Sequence, residues 1–244
     1  LLTLYSYKTH NQQPNTGRVV NGEEARPYSW PWQVSLESFF PTWEEKKCAI
    51  YISDKQFHTY RVVLAEHNMN KEEGPEQFIN VGKMFIHPKW NDNCVNDIAL
   101  LKLEKNAVLN DKVQPACLPQ HGATLAHNQP CYVTGWGRLH SGGPRATTLQ
   151  QVLLPAVDHA TCSQSDWWGS SAKTTMVCAG GASKSACHGD SGGPLNCEGG
   201  DGRWYVQGVT SFVDGRGCNT TRRPTVFTRV ASFIPWIGET VAQN

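Results

Sequence analysis

The sequence predicts an all-β fold, arranged as paired β-barrels or as a β-sandwich and completed by one terminal helix. Short runs of β-branched and aromatic residues alternate with turn signals from Val19 onward, a pattern typical of these architectures. Helical periodicity is nearly absent before the C-terminal segment. The 244 residues, 39% hydrophobic and 18% charged, suit one large all-β domain or two small ones with an ample core.

Examples of the predicted strands, in chain order, are 32–36, 60–64, 98–103, 132–136, 151–157, 204–213 and 226–230. They are rich in β-branched and aromatic residues, and turn signals lie between them.

One helix is predicted at the C-terminus. Ser232 is the expected N-cap, and Pro235 falls in the first turn, where its missing N–H costs little. The apolar face of this helix is expected to comprise Phe233, Trp236, Ile237 and Val241.

Residues 1–18 are predicted to be a flexible leader that ends in Arg18, and residues 19–244 to form the folded domain. The leader is polar and contains Pro and Gly. Its apolar start is too short for a complete signal peptide.

Charge and cysteine content exclude several functional classes. The net charge of +1 gives no reason to expect nucleic acid or a membrane surface as a partner, and no apolar run is long enough to cross a bilayer. The nine cysteines include no C-x-x-C pair, so they favour disulfides in a secreted protein over a zinc or redox site. Because nine is odd, at least one thiol lacks a partner within the chain.

The stretch CHGDSGGPL, at 187–195, carries the strongest chemical signal. A nucleophilic serine requires a tight turn that exposes its hydroxyl, and backbone amides aimed at the oxyanion that develops in the reaction. The glycines that flank Ser191 permit that backbone geometry. The alternative for the motif alone is a Gly-rich hairpin turn.

With its other motifs, the chain from Val19 onward resembles the chymotrypsin-like serine peptidases. These motifs are VVNG (19–22), WPWQVSL (30–36), NDIAL (96–100), CYVTGWG (131–137) and PTVFTRV (224–230). The segments EEGPEQ (72–77) and DWWGS (166–170) are similar to the elastase branch, and most of all to its third type, the pancreatic endopeptidases E. The resemblance implies two six-stranded antiparallel Greek-key barrels of trypsin-like form with a C-terminal helix, divided at about 118–131.

The resemblance also implies the roles of the central residues. Ser191 would be the nucleophile, the amides of Gly189 and Ser191 would form the oxyanion hole, and Asp97 would orient the general base. For Asp97 the alternative is a polar residue that opens the strand 98–103.

An activation step is implied in the same way. Cleavage between Arg18 and Val19 would free an α-amino group at Val19, which would pair with Asp190 in the interior and order the oxyanion hole. A buried carboxylate requires such a partner. The alternative is a solvated loop aspartate.

The resemblance places Ser185 at the floor of the specificity pocket and Val213 and Thr225 on its walls. A neutral floor does not select Lys or Arg, and bulky walls favour small side chains such as Ala. The alternative is that all three are ordinary strand residues.

No cofactor is required by the implied mechanism, but a structural calcium site is a further expectation. Glu66 and Glu76 match the ends of the family's calcium loop, and two carboxylates with backbone carbonyls suit Ca²⁺. A solvated acidic loop is the alternative. Separately, Asn219-Thr220-Thr221 is a glycosylation sequon that directly follows Cys218.

The chain departs from the family at the catalytic histidine. The family carries this residue in an Ala-Ala/Gly-His-Cys motif, whereas Cys48 is here preceded by Lys47. The segment before it is too short and lacks the Cys-Gly-Gly-Ser-Leu strand, so the first barrel is expected to be incomplete. Lys47 is not expected to replace the base, because Lys46 and two glutamates adjoin it. His188 is close to Ser191 in sequence but belongs to the oxyanion side.

By resemblance, three disulfides are expected: Cys131 with Cys197, Cys162 with Cys178, and Cys187 with Cys218. Cys48, Cys94 and Cys117 remain. The loops around Cys48 and Cys94 are shortened, so both are expected to lack a partner, and Cys117 either pairs with the leader or stays free.

Two functions follow as expectations. The first is a secreted, monomeric digestive endopeptidase that cleaves proteins and peptides after small residues, with activity absent or severely impaired in this chain. The second is a non-catalytic secreted binding partner, for example of a procarboxypeptidase.

Overall fold

The computed structural model describes residues 5–8, 20–38 and 60–244. The strands in these residues, in chain order, are β1 (Tyr5–Lys8), β2 (Glu23–Glu24), β3 (Val34–Ser38), β4 (Tyr60–Leu64), β5 (Gln77–Ile86), β6 (Ala99–Leu103), β7 (Pro130–Gly135), β8 (Gln150–Val157), β9 (Met176–Ala179), β10 (Pro194–Glu198), β11 (Trp204–Phe212) and β12 (Thr225–Arg229). The described residues also form two α-helices, α1 (His159–Cys162) and α2 (Ile234–Gln243), and two short 3₁₀ helices, Gly169–Ser171 and Val230–Ser232.

The C-terminal half forms a closed antiparallel barrel. Its strands follow the order β8-β7-β10-β11-β12-β9, and β9 pairs again with β8, which closes the ring; β2 pairs with the outer side of β8. Alternate residues point inward and fill the barrel with Val133, Leu154, Leu195 and Phe227, all fully buried. The all-β, trypsin-like expectation is therefore confirmed.

The N-terminal half forms a second sheet with the order β1-β3-β4-β5-β6. The pairs from β3 to β6 are antiparallel, and β1 pairs in parallel with β3. Leu36, Val62, Ile79 and Leu101 form the buried side of this sheet.

A third apolar cluster joins the two halves. Ile98, which directly precedes β6, and Leu100, within it, pack with Val209 of β11 and with Phe233 and Ile237 at α2. The residue that precedes Ile98 is therefore held at the junction between the halves, where the site is assembled.

The C-terminal helix is present, and Pro235 lies in its first turn as expected. The N-cap assignment is wrong: Phe233 is the N-cap, and Ser232 belongs to the preceding 3₁₀ helix. Val241 is also wrongly placed on the buried face, since it is 53% exposed. The cluster between the halves covers only the first turns of α2, so the last turn extends into solvent.

No helix among the described residues is both long and apolar enough to span a membrane.

Candidate active site

The turn that contains Ser191 is hydrogen-bonded to strand β11 of the closed barrel. Ser191 is half-buried and lies three residues before β10. The amide of Gly192 donates to the carbonyl of Thr210 at 2.9 Å, and the amide of Thr210 donates to the carbonyl of Gly193 at 2.8 Å. Gly192 has φ +80°, which favours glycine. Two reciprocal bonds to β11 thus fix the turn that presents Ser191.

The residue two positions before Ser191 must also be glycine. Gly189 has φ +97°, and a Cβ there would lie 3.1 Å from the Cα of Gly137 and 3.4 Å from the guanidinium carbon of Arg145. Both the backbone conformation and the space exclude a side chain. The assignment of this amide to the oxyanion hole stays a prediction.

Asp190 is a fully buried carboxylate. Its Oδ1 accepts from the amide of Gly137 at 2.8 Å, and its Oδ2 accepts from the amide of Cys187 at 2.8 Å. Cβ atoms on Gly135 or Gly137 would collide with this carboxyl group, so these glycines create its space.

Burial raises the pKa of Asp190 from 3.8 to about 6, although the two amides and the charge of Arg145 act in the opposite direction. Two amides alone do not offset the loss of hydration, so the anion would gain from a cation in the interior.

Asp97 is also fully buried, at the junction between the halves. Two described side chains donate to its carboxylate: Ser211 Oγ to Oδ2 at 2.5 Å and Trp90 Nε1 to Oδ1 at 3.2 Å. Its carbonyl accepts from Thr228 Oγ1 at 2.7 Å. Donors on β11 and β12 therefore tie a residue of the N-terminal half to the barrel.

Strand β11 connects the Asp97 and Ser191 regions. Thr210 is bonded to the serine turn, and the next residue, Ser211, is bonded to the Asp97 carboxylate. Adjacent residues of β11 therefore contact the serine turn and the buried Asp97 carboxylate.

Ser185 and Thr225 form a hydrogen-bonded pair. Ser185 Oγ lies 3.0 Å from Thr225 Oγ1 and donates to the carbonyl of Ala186 at 2.6 Å, while Thr225 Oγ1 accepts from the Ala186 amide at 3.2 Å. Both side chains are buried and neutral. Val213 is half-buried and packs against Cys187 and Cys218. The pocket roles of Ser185, Val213 and Thr225 stay predictions.

The described residues contain the three disulfides that the resemblance implied: Cys131–Cys197, Cys162–Cys178 and Cys187–Cys218. The last of these ties the serine turn to the loop that follows Val213. The expectation for Cys94 is wrong, because Cys94 is disulfide-bonded. The shortened loop therefore did not leave Cys94 without a disulfide partner. Among the described cysteines Cys117 is free, and it is half-buried.

Several predicted residues lie outside the described part of the chain: Arg18, Val19, Lys47 and Cys48. Val20 is described, and it is buried against Cys187 and Cys218, next to the turn of Asp190.

Seven histidines lie in the described residues. His67 is buried and its Nε2 is 3.2 Å from Glu24 Oε1. His87 is half-buried between the rings of Phe233 and Trp236, at 5.2 and 5.0 Å, and burial lowers its pKa. The others are exposed: His121, His127, His140, His159 and His188.

Of the expected calcium residues, Glu66 is buried and Glu76 is partly buried, and their role as calcium ligands stays a prediction. Glu76 accepts from the amides of Glu73 and Gly74 at 2.5 and 2.7 Å, so its carboxylate closes the local turn. Burial raises the pKa of Tyr28, and the charges of Glu73, Glu76 and Glu66 raise it further. Over the described ranges, no group of three or more His, Cys, Asp or Glu side chains could hold a metal ion.

Sequence reasoning missed the donors to Asp97 and the space around Asp190. Ser211 is 114 residues from Asp97, and Gly137 is 53 residues from Asp190. The sequence placed Gly135 and Gly137 in a family motif, but only the fold shows that they accommodate a carboxyl group.

Comparison with known proteins gives a consistent result. The profile of the family described as Trypsin matches residues 19–237. Proproteinase E of Bos taurus is 53% identical over 258 residues, which cover 94% of this chain and 97% of that protein. Chymotrypsin-like elastase family member 3B of Homo sapiens is 52% identical over 257 residues (98% and 94%). Chymotrypsin-like elastase family member 1 of Bos taurus is 48% identical over 259 residues (100% and 97%).

Proposed function

Since the chain belongs to the Trypsin family of serine peptidases, we propose that it is a secreted elastase-type peptidase whose own catalysis is lost or severely impaired. The observation that carries the proposal is the contrast between two parts of the site. β11 holds the Ser191 turn and Asp97 together, whereas Lys47 stands at the position of the family's histidine.

The chemistry of the reaction explains why this contrast decides activity. Ser191 would attack the peptide carbonyl, and the amides of Gly189 and Ser191 would stabilise the oxyanion. Attack requires a base that removes the hydroxyl proton, and Asp97 would orient that base. Loss of the base from such a triad reduces turnover by on the order of 10⁶. Oxyanion stabilisation and binding alone leave roughly 10³–10⁴ over water.

The alignments support a missing internal segment. The alignment with bovine elastase family member 1 covers this whole chain and spans 259 residues, more than the 244 that the chain contains. The relative therefore has residues without a counterpart here, in agreement with the short stretch before Cys48.

The pocket supports a preference for small side chains such as Ala. Its proposed floor, Ser185, is neutral and hydrogen-bonded to Thr225, so it offers no carboxylate to a Lys or Arg of the substrate. Val213 adds bulk where glycine would admit an aromatic ring.

Activation would follow cleavage between Arg18 and Val19, with the new α-amino group of Val19 paired with Asp190. Two findings support this: the buried Asp190 carboxylate gains from a cation, and Val20 already packs beside its turn. Three disulfides support secretion into an oxidising compartment. We propose a monomer that acts on, or binds, protein and peptide substrates.

The test is covalent labelling of Ser191. The protein is treated with trypsin, and labelling by a fluorophosphonate probe and hydrolysis of an alanine ester are compared with those of Ser191→Ala. We expect the two proteins to behave alike. Prompt labelling of the unaltered chain, absent in Ser191→Ala, would show an active enzyme and overturn the proposal.

A chimera tests whether the missing segment is the cause of the impaired catalysis. Residues 37–47 are replaced by the corresponding segment of human elastase family member 3B, which restores the strand and the histidine. We expect labelling to appear in this chimera and to disappear when it also carries Ser191→Ala. Sequencing of the transcript across residues 36–55 tells whether the deletion belongs to the expressed protein.

A second candidate is a non-catalytic binding partner, for example of a procarboxypeptidase. The observation in its favour is that the closed barrel, with its disulfides and proposed pocket, is retained. Co-elution of the purified chain with a procarboxypeptidase on a sizing column would support it, and separate elution at micromolar concentrations would count against it.

A further inference from the structure

We propose that Asn219 carries an N-linked glycan, and that this glycan shields a neighbouring arginine-rich turn from arginine-specific peptidases. The glycan half of the proposal stands on the sequence and the local geometry. The shielding half rests also on the proposed activation at Arg18.

The sequon is unique in the chain and correctly exposed. Asn219-Thr220-Thr221 is the sole Asn-x-Ser/Thr triplet in the 244 residues. A transferase recognises the first and third residues of this triplet, and Asn219 and Thr221 are the two that are exposed. The middle residue, Thr220, turns inward and donates from Oγ1 to the carbonyl of Gly217 at 2.9 Å.

The turn that bears the sequon is held from both sides. Cys218 is bonded to Cys187, and its amide donates to Ser141 Oγ at 2.9 Å. The amide of Arg223 donates to the carbonyl of Thr220 at 3.0 Å. Asn219 therefore sits at a fixed surface corner, where a bulky glycan can extend into solvent without disturbing the packed residues on either side.

The secretory compartment supplies the sugar donor for glycosylation. Disulfide formation indicates passage through the oxidising secretory compartment, where the donor is an oligosaccharide linked to a lipid pyrophosphate. The Asn219 amide nitrogen forms a bond to the anomeric carbon of the sugar and loses one proton. The bond between that carbon and the pyrophosphate oxygen breaks, and the lipid pyrophosphate leaves.

Two cleavable arginines flank this corner. The side chains of Arg216 and Arg222 are 71% and 60% exposed, and each lies three residues from Asn219. Gly215 and Gly217 adjoin Arg216, and such residues ease the local opening that cleavage requires. Arg223 precedes Pro224 and is mostly buried, so it is a poor site of cleavage.

A reason for the shield follows from the proposed activation. If an arginine-specific peptidase cuts after Arg18, the other exposed arginines of the folded chain encounter the same enzyme. A cut after Arg216 or Arg222 would open the loop between Val213 and Thr225, on which the proposed pocket depends. A flexible hydrated glycan at Asn219 excludes the peptidase from both bonds and leaves Arg18 accessible.

The first experiment detects the glycan on the full chain secreted from eukaryotic cells. We expect a shift to faster migration on treatment with peptide N-glycosidase F, and loss of that shift in Asn219→Gln and in Thr221→Ala. Thr220→Ala keeps the sequon and is the matched control, so it should retain the shift. Unmodified Asn219 in the secreted protein, found by mass spectrometry of the peptide that contains it, would overturn the proposal.

The second experiment tests the shield. Native glycosylated protein and enzymatically deglycosylated protein are digested with trypsin, and the new N-termini are followed. We expect deglycosylation to speed the appearance of termini at Gly217 and Arg223 and to leave the rate at Val19 unchanged. Equal rates at Gly217 and Arg223 would overturn the shielding role. Failure to obtain a Val19 terminus would instead count against the proposed activation and not against the glycan.

Discussion

At the scale of single residues, the two buried carboxylates of the site differ in how the fold satisfies them. Asp97 receives a hydroxyl and an indole donor from neighbouring side chains. Asp190 receives two backbone amides, and burial still raises its pKa to about 6. The fold therefore supplies side-chain donors to the Asp97 carboxylate, whereas burial makes the charged form of Asp190 less favourable than it is in water.

The raised pKa of Asp190 predicts a pH dependence of stability in the uncleaved chain. Between pH 3.8 and about 6 the folded state binds more protons at this group than the unfolded state, so the free energy of unfolding falls as pH rises. Below that window the contribution is fully present. Over the whole window we expect the loss to amount to about 3 kcal/mol.

Asp190→Asn should remove this decline, as measured by urea unfolding at several pH values. The exposed residue Asp111 provides the control, and Asp111→Asn should keep the wild-type slope. A decline in Asp190→Asn equal to that of wild type would contradict the assignment.

Ser211 gives a second residue-scale expectation, because it donates to a buried anion. Ser211→Ala should reduce the free energy of unfolding by about 1.5–3 kcal/mol, the range for a hydrogen bond to a charged group. Ser232 is the matched control: its Oγ is buried with no hydrogen-bond partner among the described residues. Ser232→Ala should change stability by less than about 0.5 kcal/mol. Equal losses in the two variants would mean that the bond to Asp97 contributes little.

Local motifs were enough to nominate Ser191 and Asp97, because a nucleophile turn and an aspartate before a strand leave short sequence signatures. The residues that support them, Ser211 and Trp90, carry no such signature. Their role arises from strands that meet only after folding, and a hydroxyl or an indole is common in any strand or loop.

At the scale of elements, predicted and observed strands agree best where apolar residues are continuous. The predicted strand 60–64 coincides with β4, and 151–157 differs from β8 by one residue. β5 was not named from the sequence, because its ten residues bury only Ile79 fully and show neither alternation nor a continuous apolar run. The N-cap of α2 was misplaced because the preceding 3₁₀ turn takes up Ser232.

The Cys162–Cys178 disulfide links α1 to β9 across the segment that contains Trp167 and Trp168. It joins residues 16 apart, and closure of a loop of this length stabilises by about 3 kcal/mol. The double variant Cys162→Ser with Cys178→Ser should lose that amount in chemical unfolding under non-reducing conditions. Cys117→Ser removes a free, half-buried thiol and should cause a much smaller change. A double variant as stable as Cys117→Ser would contradict this estimate.

At the scale of the whole molecule, the two halves are built differently. The C-terminal barrel closes on itself through the pairing of β8 with β9, and Cys131–Cys197 links neighbouring strands within it. Over its described residues, the N-terminal sheet runs from β1 to β6 without such closure. An edge strand exchanges its amide protons more readily than a strand paired on both sides.

Native-state hydrogen exchange should therefore separate the halves. We expect the amides of β10 and β11 to exchange only on global unfolding, and those of the edge strand β6 to exchange through smaller openings with a lower free energy. The comparison is made within one sample, so pH and temperature are matched. Equal protection in β6 and β10 would indicate a single cooperative unit.

The parallel pairing of β1 with β3 joins segments on opposite sides of the proposed cleavage site at Arg18. β1 precedes Arg18 and β3 follows it, so a cut at that bond would remove the peptide link between the two paired strands. Departure of β1 would bare a row of backbone donors and acceptors along β3, which another copy of the protein could occupy. Loss of β1 after such a cut would therefore make the protein prone to self-association.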